Sequence, residues 1–389
     1  MSTLKVDGIR SNSASSDAIT LANDGTCIAN ITNRSNRNLM INGAMQVAQR
    51  GTSMATGNGY AADRFRLEIN GTDENPTLTQ ADIASGTTPY TLGFRKSCKI
   101  QNGNQTGGAG AADYLYIRYK VEAQDITNSG WNYTSASSYI TLSFWVKSSV
   151  AQNFHGWVRT YDGTAYHYPF ETGSLSADTW TKVTKTIPGN SNLQFDNNNH
   201  AGLQMNWLGY FGTDYTNNSA SLNAWQATGG GDAYMPDNTS TWYTTNDATL
   251  ELTGVQLEVG SVATDFEHRS FGQELALCQR YYYVLADGSA AADEYVGNGR
   301  AWSSSQAELT ARWPVVMRSA PSLVHPTGTN YYQWRNGSNE TYQDSIDLTN
   351  ATTRSAIIYK AGTSGLTAGG AYRVQLGNAS AYLHFNAEL

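Results

Sequence analysis

Several stretches of this chain alternate apolar and polar residues with a period of two, and this pattern limits its fold more than any other feature. Residues 139–147 (YITLSFWVK) and 180–187 (WTKVTKTI) both alternate in this way. In residues 114–121 (YLYIRYKV) the alternation gives two faces, one of Leu115, Ile117, Tyr119 and Val121 and the other of Tyr114, Tyr116, Arg118 and Lys120. Half-buried strands of this kind, separated by loops rich in Gly, Asn and Ser, build antiparallel sandwiches. We therefore predict an all-β protein with a jelly-roll-like antiparallel sandwich.

The composition argues against two classes of function. Charged residues make up only 15% of the chain, whereas Tyr (24), Trp (10) and Gly (37) are abundant. This balance is typical of an extracellular or virion β protein and not of a helical enzyme. A net charge of −7, without a run of basic residues, argues against a nucleic-acid partner, because nucleic acids bind basic surfaces.

One segment, residues 270–285, predicts a helix. Ser270 stands at an N-cap position and Gln273 follows three residues later, which is the spacing of a capping box. Leu275, Cys278 and Tyr282 then recur at i, i+3 and i+7, on one face of a short helix. The segment lies between two strand-rich regions, so we interpret it as a linking helix between a sandwich domain (37–269) and a smaller C-terminal β domain (286–389).

The segment around the helix also carries a resemblance. The sequence GVQLEVG followed by ATDFEHRSFGQELALCQRYYY resembles a segment of bacteriophage tail-fibre and related appendage proteins. NLMINGAMQVAQRG at 38–51 and YAADRF at 60–65 resemble the opening of that family's carbohydrate-binding-module-like β-sandwich. RWPVVMRSAP at 312–321 and FNAEL at 385–389 resemble its C-terminal region. The resemblance implies a virion appendage protein, assembled as a homotrimer, and none of these motifs is catalytic.

Residues 1–36 place Leu, Val and Ile at intervals among Ser, Asn and Asp, and are too few to bury a core of their own. One interpretation is a flexible tail. We favour an attachment segment, which becomes ordered by pairing with sister chains or with other phage tail proteins.

Candidate glycan-binding residues are the aromatic residues of polar loops and their polar neighbours, because aromatic residues within strands usually belong to the core. By this rule Trp145, Trp157, Trp180, Trp207 and Trp313 are structural. The candidates form two groups, the first of Tyr161, Asp162, Tyr166, His167 and Tyr168, and the second of Tyr331, Tyr332, Trp334 and Arg335. Aromatic rings would stack on sugar faces while the polar groups bind hydroxyls.

Catalytic and metal motifs are absent from the sequence. It contains no nucleophile elbow, P-loop, HExxH motif or EF-hand loop, and Asp162 with Glu171 is no better a carboxylate pair than many others. We therefore predict no catalytic residues, no metal site and no cofactor, although residues 73–74 and 196–199 leave room for a structural Ca²⁺. The three cysteines show no disulfide or metal spacing, so buried free thiols are expected.

Three functions remain open. The leading hypothesis is a non-enzymatic tail-fibre or appendage protein that binds a host surface polysaccharide. The first alternative is a purely structural virion protein, such as a head fibre, adaptor or baseplate component, and the second is a polysaccharide depolymerase. The first residues, MSTLKVDGIR, lack the apolar segment of a secretion signal, so we expect synthesis in the host cytoplasm, no membrane insertion and a final location in the virion.

Overall fold

The computed structural model of the chain describes residues 6–10, 12, 19–21, 27–29, 36–55, 57–228, 234–288, 293–337 and 339–389. Near the N-terminus, three short strands form an antiparallel sheet: β1 (Gly8–Ile9), β2 (Ile19–Leu21) and β3 (Cys27–Ala29). Most of residues 1–36 lie outside the described residues, so the role predicted for this segment in attachment stays a prediction.

The next unit is the predicted sandwich. Its strands are β4 (Ser53–Met54), β5 (Gly59–Ala62), β6 (Phe65–Asn70), β7 (Thr77–Asp82), β8 (Lys96–Gln101), β9 (Tyr114–Glu122), β10 (Tyr139–Ser148), β11 (Asn153–Thr160), β12 (Tyr166–Ser174), β13 (Thr181–Pro188), β14 (Ala201–Phe211), β15 (Gln226–Ala227) and β16 (Thr249–Val259). Two short helices interrupt them, α1 (Thr88–Thr91) and α2 (Ala123–Thr127). The strands form a six-stranded sheet in the order β13-β10-β16-β8-β7-β4 and a seven-stranded sheet in the order β15-β12-β11-β14-β9-β6-β5.

The two sheets pack face to face around one hydrophobic core. The strand alternation supplies it: Ile117 of β9 and Met205 of β14 face inward from the seven-stranded sheet, and Leu142 faces them from β10. The rings of Phe144 and Trp207 meet across the core with centroids 5.9 Å apart. The prediction of an all-β, jelly-roll-like sandwich is therefore confirmed.

The C-terminal unit begins with helix α3 (Phe271–Gln279) and is otherwise built of strands. These are β17 (Tyr282–Ala286), β18 (Tyr295–Ser303), β19 (Gln306–Arg312), β20 (Ser322–Val324), β21 (Tyr332–Asn336), β22 (Asn339–Gln343), β23 (Asp347–Thr349), β24 (Ser355–Ala361), β25 (Ala371–Leu376) and β26 (Leu383–Asn386). A three-stranded sheet, β17-β26-β20, and a seven-stranded sheet, β22-β21-β25-β18-β19-β24-β23, share a second, smaller core.

The predicted helix exists, with its capping box, but it is shorter than predicted. The Ser270 hydroxyl accepts the Gln273 N–H, and the Gln273 side chain accepts the Ser270 N–H. The expectation that the helix extends to residue 285 is wrong, because the chain leaves it after Gln279 and Tyr282 begins strand β17. The backbone of β17 instead forms hydrogen bonds with the neighbouring strand β26, and these replace the hydrogen bonds that further helical turns would make.

Buried ion pairs join the sandwich to the C-terminal unit. Arg64, which follows β5, forms an ion pair with Glu388, and Arg50 lies 3.1 Å from the same carboxylate. Arg280, just after α3, makes two hydrogen bonds of 2.7 Å with Glu122 at the end of β9. Paired, hydrogen-bonded charges of this kind are the form in which proteins bury ions.

Arg318 adds a second set of contacts between the units. Its guanidinium donates to the backbone carbonyls of Asn199 in the sandwich, at 3.0 Å, and of Ala387 and Glu388 in the C-terminal unit, at 2.6 and 3.0 Å. We call the whole contact region the joint, defined by Arg50, Arg64, Glu122, Arg280, Arg318 and Glu388.

The joint gives a structural reason for the motifs that carry the sequence resemblance. Residues 60–65 supply Arg64, residues 312–321 supply Arg318 and residues 385–389 supply Glu388, while Arg280 follows α3. These widely separated motifs therefore meet in one place, where they hold two units together.

Two further observations concern the chain as a whole. None of the helices in the described ranges is long and apolar enough to cross a membrane. Cys98 and Cys278 are buried free thiols, as predicted, and burial raises the pKa of Cys98 to about 12.

Candidate functional site

The outer face of the seven-stranded sheet carries an unusual set of side chains. Along β9, residues 115, 117, 119 and 121 enter the core, so Tyr114, Tyr116, Arg118 and Lys120 project from the opposite side. All four are half-buried. Side chains on a fully solvent-facing strand would be more exposed than these, so side chains from neighbouring strands must cover them in part.

Strand register shows which residues stand beside them. Arg118 lies opposite Arg66 of β6 on one side and Asn206 of β14 on the other, and Asn206 lies opposite Trp157 of β11. Opposed side chains on one face stand about 5 Å apart. One row therefore crosses four strands in the order Arg66, Arg118, Asn206, Trp157.

A second row runs parallel to the first. Lys120 of β9 lies opposite Gln204 of β14, Gln204 opposite Arg159 of β11, and Arg159 opposite His167 of β12. The two rows place arginine, lysine and amide groups side by side on rigid strands. Groups held in this way are positioned before any ligand arrives.

An aromatic cluster closes one end of this face. Trp157 stacks on Phe211 at 5.0 Å and on Tyr234 at 5.5 Å between ring centroids, and Tyr116 contacts both Trp157 and Phe211. Trp157 is only 3% exposed. The cluster is therefore a packed support for the sheet's outer face, with Tyr116 at its half-exposed margin.

Two buried amides lie beneath the centre of the face, Gln204 at 4% and Asn206 at 0% exposed. The Gln204 amide donates to Asn206 Oδ1 at 2.7 Å, and the Asn206 amide donates to the Trp157 carbonyl at 3.2 Å. The Tyr161 hydroxyl donates to Gln204 Oε1. This chain of hydrogen bonds fixes the amide orientations and the Tyr161 ring, which is 36% exposed.

Four cations surround the amides, and we call them the cationic cluster: Arg66, Arg118, Lys120 and Arg159. Glu68 Oε1 lies 2.9 Å from Arg66 and 2.7 Å from Arg118, so one carboxylate holds two guanidinium groups. Lys120 Nζ and Arg159 Cζ lie 5.0 and 5.2 Å from the centre of the Tyr161 ring. Among the described residues, no carboxylate lies within ion-pairing distance of Lys120 or Arg159.

Burial disfavours the charged form of Lys120, and the neighbouring positive charges add to this effect. Burial, with the nearby Arg118 charge next, lowers the pKa of Lys120 to about 8, even though Glu68 acts in the opposite direction. Glu122, two residues further along the strand, is bound to Arg280. Lys120 is thus a cation that lacks a full counter-charge.

The structure brings part of the first candidate group to this face. Tyr161 lies on it and is partly exposed, whereas His167 lies on it but is only 4% exposed, with Nδ1 3.3 Å from the Thr228 hydroxyl oxygen, so the prediction of an accessible residue is wrong for His167. Asp162 lies in the turn after β11 and accepts the Asp196 N–H at 2.9 Å, and Tyr166 is half-buried. Tyr168 points into the sandwich core and is 3% exposed, so the expectation of a surface residue is wrong there.

The second candidate group is placed differently from the prediction. Tyr332 and Trp334 are buried in the C-terminal core, at 1% and 0% exposed, and Tyr331 packs against them while half-buried. Arg335 forms an ion pair with Glu340 at 3.2 Å. The prediction of a polar loop is wrong for residues 332–336, because strand β21 lies there between β22 and β25, which buries its aromatic face. These residues do not form a surface platform.

Carboxylates suited to catalysis or metal binding are not brought together at these positions. Glu171 lies four residues along β12 from His167, and Asp162 lies beyond the opposite end of that strand, which separates them by more than roughly 15 Å. Glycosidase pairs stand about 5–9 Å apart. Asp73 and Glu74 accept backbone N–H groups of Gly107 and Asn104, and the part of the chain that the structure describes contains no group of three or more metal-ligating side chains.

Sequence reasoning missed most of this face. Arg118, Lys120 and Arg159 stand inside strand patterns, which the choice of candidates leaves out, and Trp157 is predicted to be structural. One signal was present: residues 114–121 place two tyrosines and two cations on the face opposite the apolar one.

No family model and no curated protein matches this chain. Several solved structures show partial similarity. The enzymatically active domain of bacteriophage CBA120 tailspike protein 4 shares 11% identity at a TM-score of 0.31, over 58% of this chain and 22% of that chain. The N-terminal cellulose-binding domain of Cellulomonas fimi β-1,4-glucanase C shares 11% identity at a TM-score of 0.27, over 56% of this chain and 99% of that chain. The N-terminal CBM22-1–CBM22-2 tandem domain of Paenibacillus barcinonensis Xyn10C shares 10% identity at a TM-score of 0.28, over 90% of this chain and 98% of that chain.

This chain thus spans 22% of the tailspike chain that it resembles. At these identities and TM-scores, its function has to be inferred from its own residues.

Proposed function

We propose that this chain is a non-enzymatic polysaccharide-binding protein and that its ligand lies on the outer face of the seven-stranded sheet of the sandwich. The observation that carries the proposal is the pair of residue rows across β6, β9, β14 and β11. Cations held on rigid strands can hydrogen-bond sugar hydroxyls, and the partly exposed rings of Tyr161 and Tyr116 can stack on sugar faces. The buried amides of Gln204 and Asn206 support this face from below and fix the Tyr161 ring.

The biological setting that we propose is a bacteriophage tail fibre or related appendage. The sequence resemblance at residues 38–51, 60–65, 254–283, 312–321 and 385–389 supports it. In that setting the chain assembles as a homotrimer, residues 1–36 attach it to other tail proteins, and the sandwich binds a host surface glycan from its place in the virion. Weak binding at each site becomes strong in aggregate because several copies act together.

The experiment is a binding assay with the full-length chain on an array of bacterial capsular and O-antigen polysaccharides. We expect saturable binding to at least one polysaccharide. Tyr161→Ala should weaken that binding by roughly tenfold, since one stacking and hydrogen-bonding group is lost, a change of about 1.4 kcal/mol. Trp302→Ala is the matched control, because Trp302 is 62% exposed on β18 of the other unit.

A purely structural virion protein is the second candidate, and one observation favours it. The motifs that carry the resemblance meet at the joint, where they maintain the architecture and leave the outer face of the sheet untouched. The same array decides between the two functions. A folded chain that binds no polysaccharide would support the structural function and refute the glycan-binding one.

A further inference from the structure

The cationic cluster on the outer face suggests which class of glycan binds there. It comprises Arg66, Arg118, Lys120 and Arg159, and among the described residues Glu68 is the carboxylate that pairs with the first two. The whole chain has a net charge of −7, so a local excess of positive charge is not a general property of this surface. Neutral sugars would be served by amides and aromatic rings alone.

The arrangement of the two arginines is specific. Arg66 and Arg118 stand directly opposite each other in neighbouring strands, where like charges are destabilising. Glu68 spans them, and its side chain is only 9% exposed, so the guanidinium groups are held together at the surface. Guanidinium groups fixed in this way can bind a carboxylate or phosphate with two parallel hydrogen bonds.

Lys120 and Arg159 provide cations without a partner of opposite charge among the described residues. Register places both beside Gln204, on either side of it, and both lie about 5 Å from the Tyr161 ring. An acidic group above the buried Gln204 would therefore meet one cation from each of the two flanking strands, each strand lying about 5 Å from β14. Binding it would relieve the repulsion among the cations that the free protein retains.

We propose that the ligand of this face is an acidic polysaccharide, whose negatively charged groups are bound by Arg118, Lys120 and Arg159 while its sugar rings contact Tyr161, which the buried Gln204 amide holds in place. This inference rests on the proposed glycan-binding function and specifies its ligand class. The shared chemistry is a polyhydroxylated chain with repeated anionic groups. Its source is either a polymer containing uronic acids or one containing phosphodiesters.

Nucleic acid is a different polyanion and fits less well. A duplex is bound by an extended basic surface, whereas this cluster is compact and belongs to an acidic chain. We therefore treat DNA binding as a result that would overturn the proposal.

The test uses the full-length chain and matched polymers. Each acidic polysaccharide of the array is presented in its native form and, for uronic acid polymers, in a carboxyl-reduced form that keeps the sugar backbone but removes the charge. A glycerol-phosphate polymer distinguishes phosphate from carboxylate as the source of charge, and duplex DNA is included. Lys120→Gln and Arg159→Gln are compared with Lys182→Gln, which removes the same charge from an exposed site on β13 of the other sheet.

We expect binding to be confined to acidic polymers and to weaken at least tenfold after carboxyl reduction, or to require the phosphate polymer. Lys120→Gln and Arg159→Gln should each weaken it about tenfold, with Lys182→Gln unchanged and all variants equally folded by circular dichroism. Equal binding to native and reduced polymers would overturn this inference but leave the glycan-binding function intact. Binding to DNA as tight as to polysaccharide would also overturn it, and binding to nothing would overturn both proposals.

Discussion

Arg64 and Glu388, 324 residues apart in the sequence, form an ion pair whose side chains are only 2% and 7% exposed. Arg50 approaches the same carboxylate, and the Arg64 guanidinium lies 3.4 Å from the centre of the Tyr281 ring. The nearby guanidinium groups hold the pKa of Glu388 below its ordinary value despite its burial. The last strand of the chain is thereby fixed against the opening strands of the sandwich.

Replacing Glu388 by Gln should therefore be costly. The substitution leaves the buried Arg64 without its anion, and breaking a buried pair in this way costs about 3–5 kcal/mol. Urea unfolding followed by tryptophan fluorescence measures the change in the free energy of unfolding. Glu340→Gln is the control, since the partly exposed pair with Arg335 should contribute less than roughly 1 kcal/mol. Similar unfolding curves for the two variants would show that the joint does not depend on this ion pair.

The stability of the C-terminal unit should depend on pH through His384. Burial lowers the pKa of this imidazole from 6.5 to about 4, and its Nδ1 lies 2.7 Å from the Tyr282 hydroxyl. Asp287 opposes the shift and Arg50 adds to it. Below pH 6.5 the unfolded chain binds a proton that the folded histidine does not accept until about pH 4. The free energy of unfolding should therefore fall as the pH drops between these values.

The variant His384→Gln isolates this effect. Carboxylates also titrate in acid, so the quantity to compare is the difference in unfolding free energy between wild type and variant from pH 4 to pH 7. We expect that difference to narrow as the pH falls. A difference that stays constant across the range would mean that His384 does not contribute to the pH dependence.

Glycan binding should depend on pH through Lys120. Burial and the positive charges of Arg118, Arg66 and Arg159 lower its pKa to about 8, with Glu68 opposing them, and a bound anionic group would raise it again. Affinity for an acidic polysaccharide should be highest well below pH 8, where Lys120 is charged. It should decline as the pH rises through 8, because Lys120 then loses its charge. Isothermal titration between pH 6.5 and 9.5 measures this. Lys120→Arg, which stays charged, should remove the decline, and an unchanged decline would assign it to another group.

Trp334→Ala should affect stability and not glycan binding. The side chain is fully buried in the C-terminal core, and truncating such a residue costs about 3–5 kcal/mol. Trp302→Ala, at an exposed position, should change stability by less than roughly 0.5 kcal/mol. Thermal unfolding compares the two variants, and binding is measured well below their midpoints. A specific loss of glycan affinity in folded Trp334→Ala protein would show that Trp334 contributes to glycan binding.

The sequence predicted the fold better than it predicted the site. Strand alternation depends on burial of one face, and it identified β9 and β10 correctly; the capping box at Ser270 located α3. The end of that helix was missed because Tyr282 fits helical spacing, whereas its pairing with Asn386 is a contact 104 residues away. Alternation cannot report such long-range pairing.

The site was predicted only in part because it is assembled across strands. Tyr161 and His167 were found by their chemical type, but Arg66, Arg118 and Arg159 come from three segments, and only register places them in neighbouring rows. Tyr332 and Trp334 were misplaced since Gly and Asn around β21 are typical of loops as well as of hairpins. An aromatic residue near such a turn can therefore lie in an exposed loop or in a buried hairpin strand.

The bidentate pair between Arg280 and Glu122 has a mechanical consequence. Glu122 ends the strand that carries Arg118 and Lys120, so a ligand held by those cations pulls on a strand that is tied directly to the second unit. Force applied to such a ligand reaches the C-terminal unit along strand β9 and the ion pair between Glu122 and Arg280. A pulling force on the bound ligand would therefore act on the two units together.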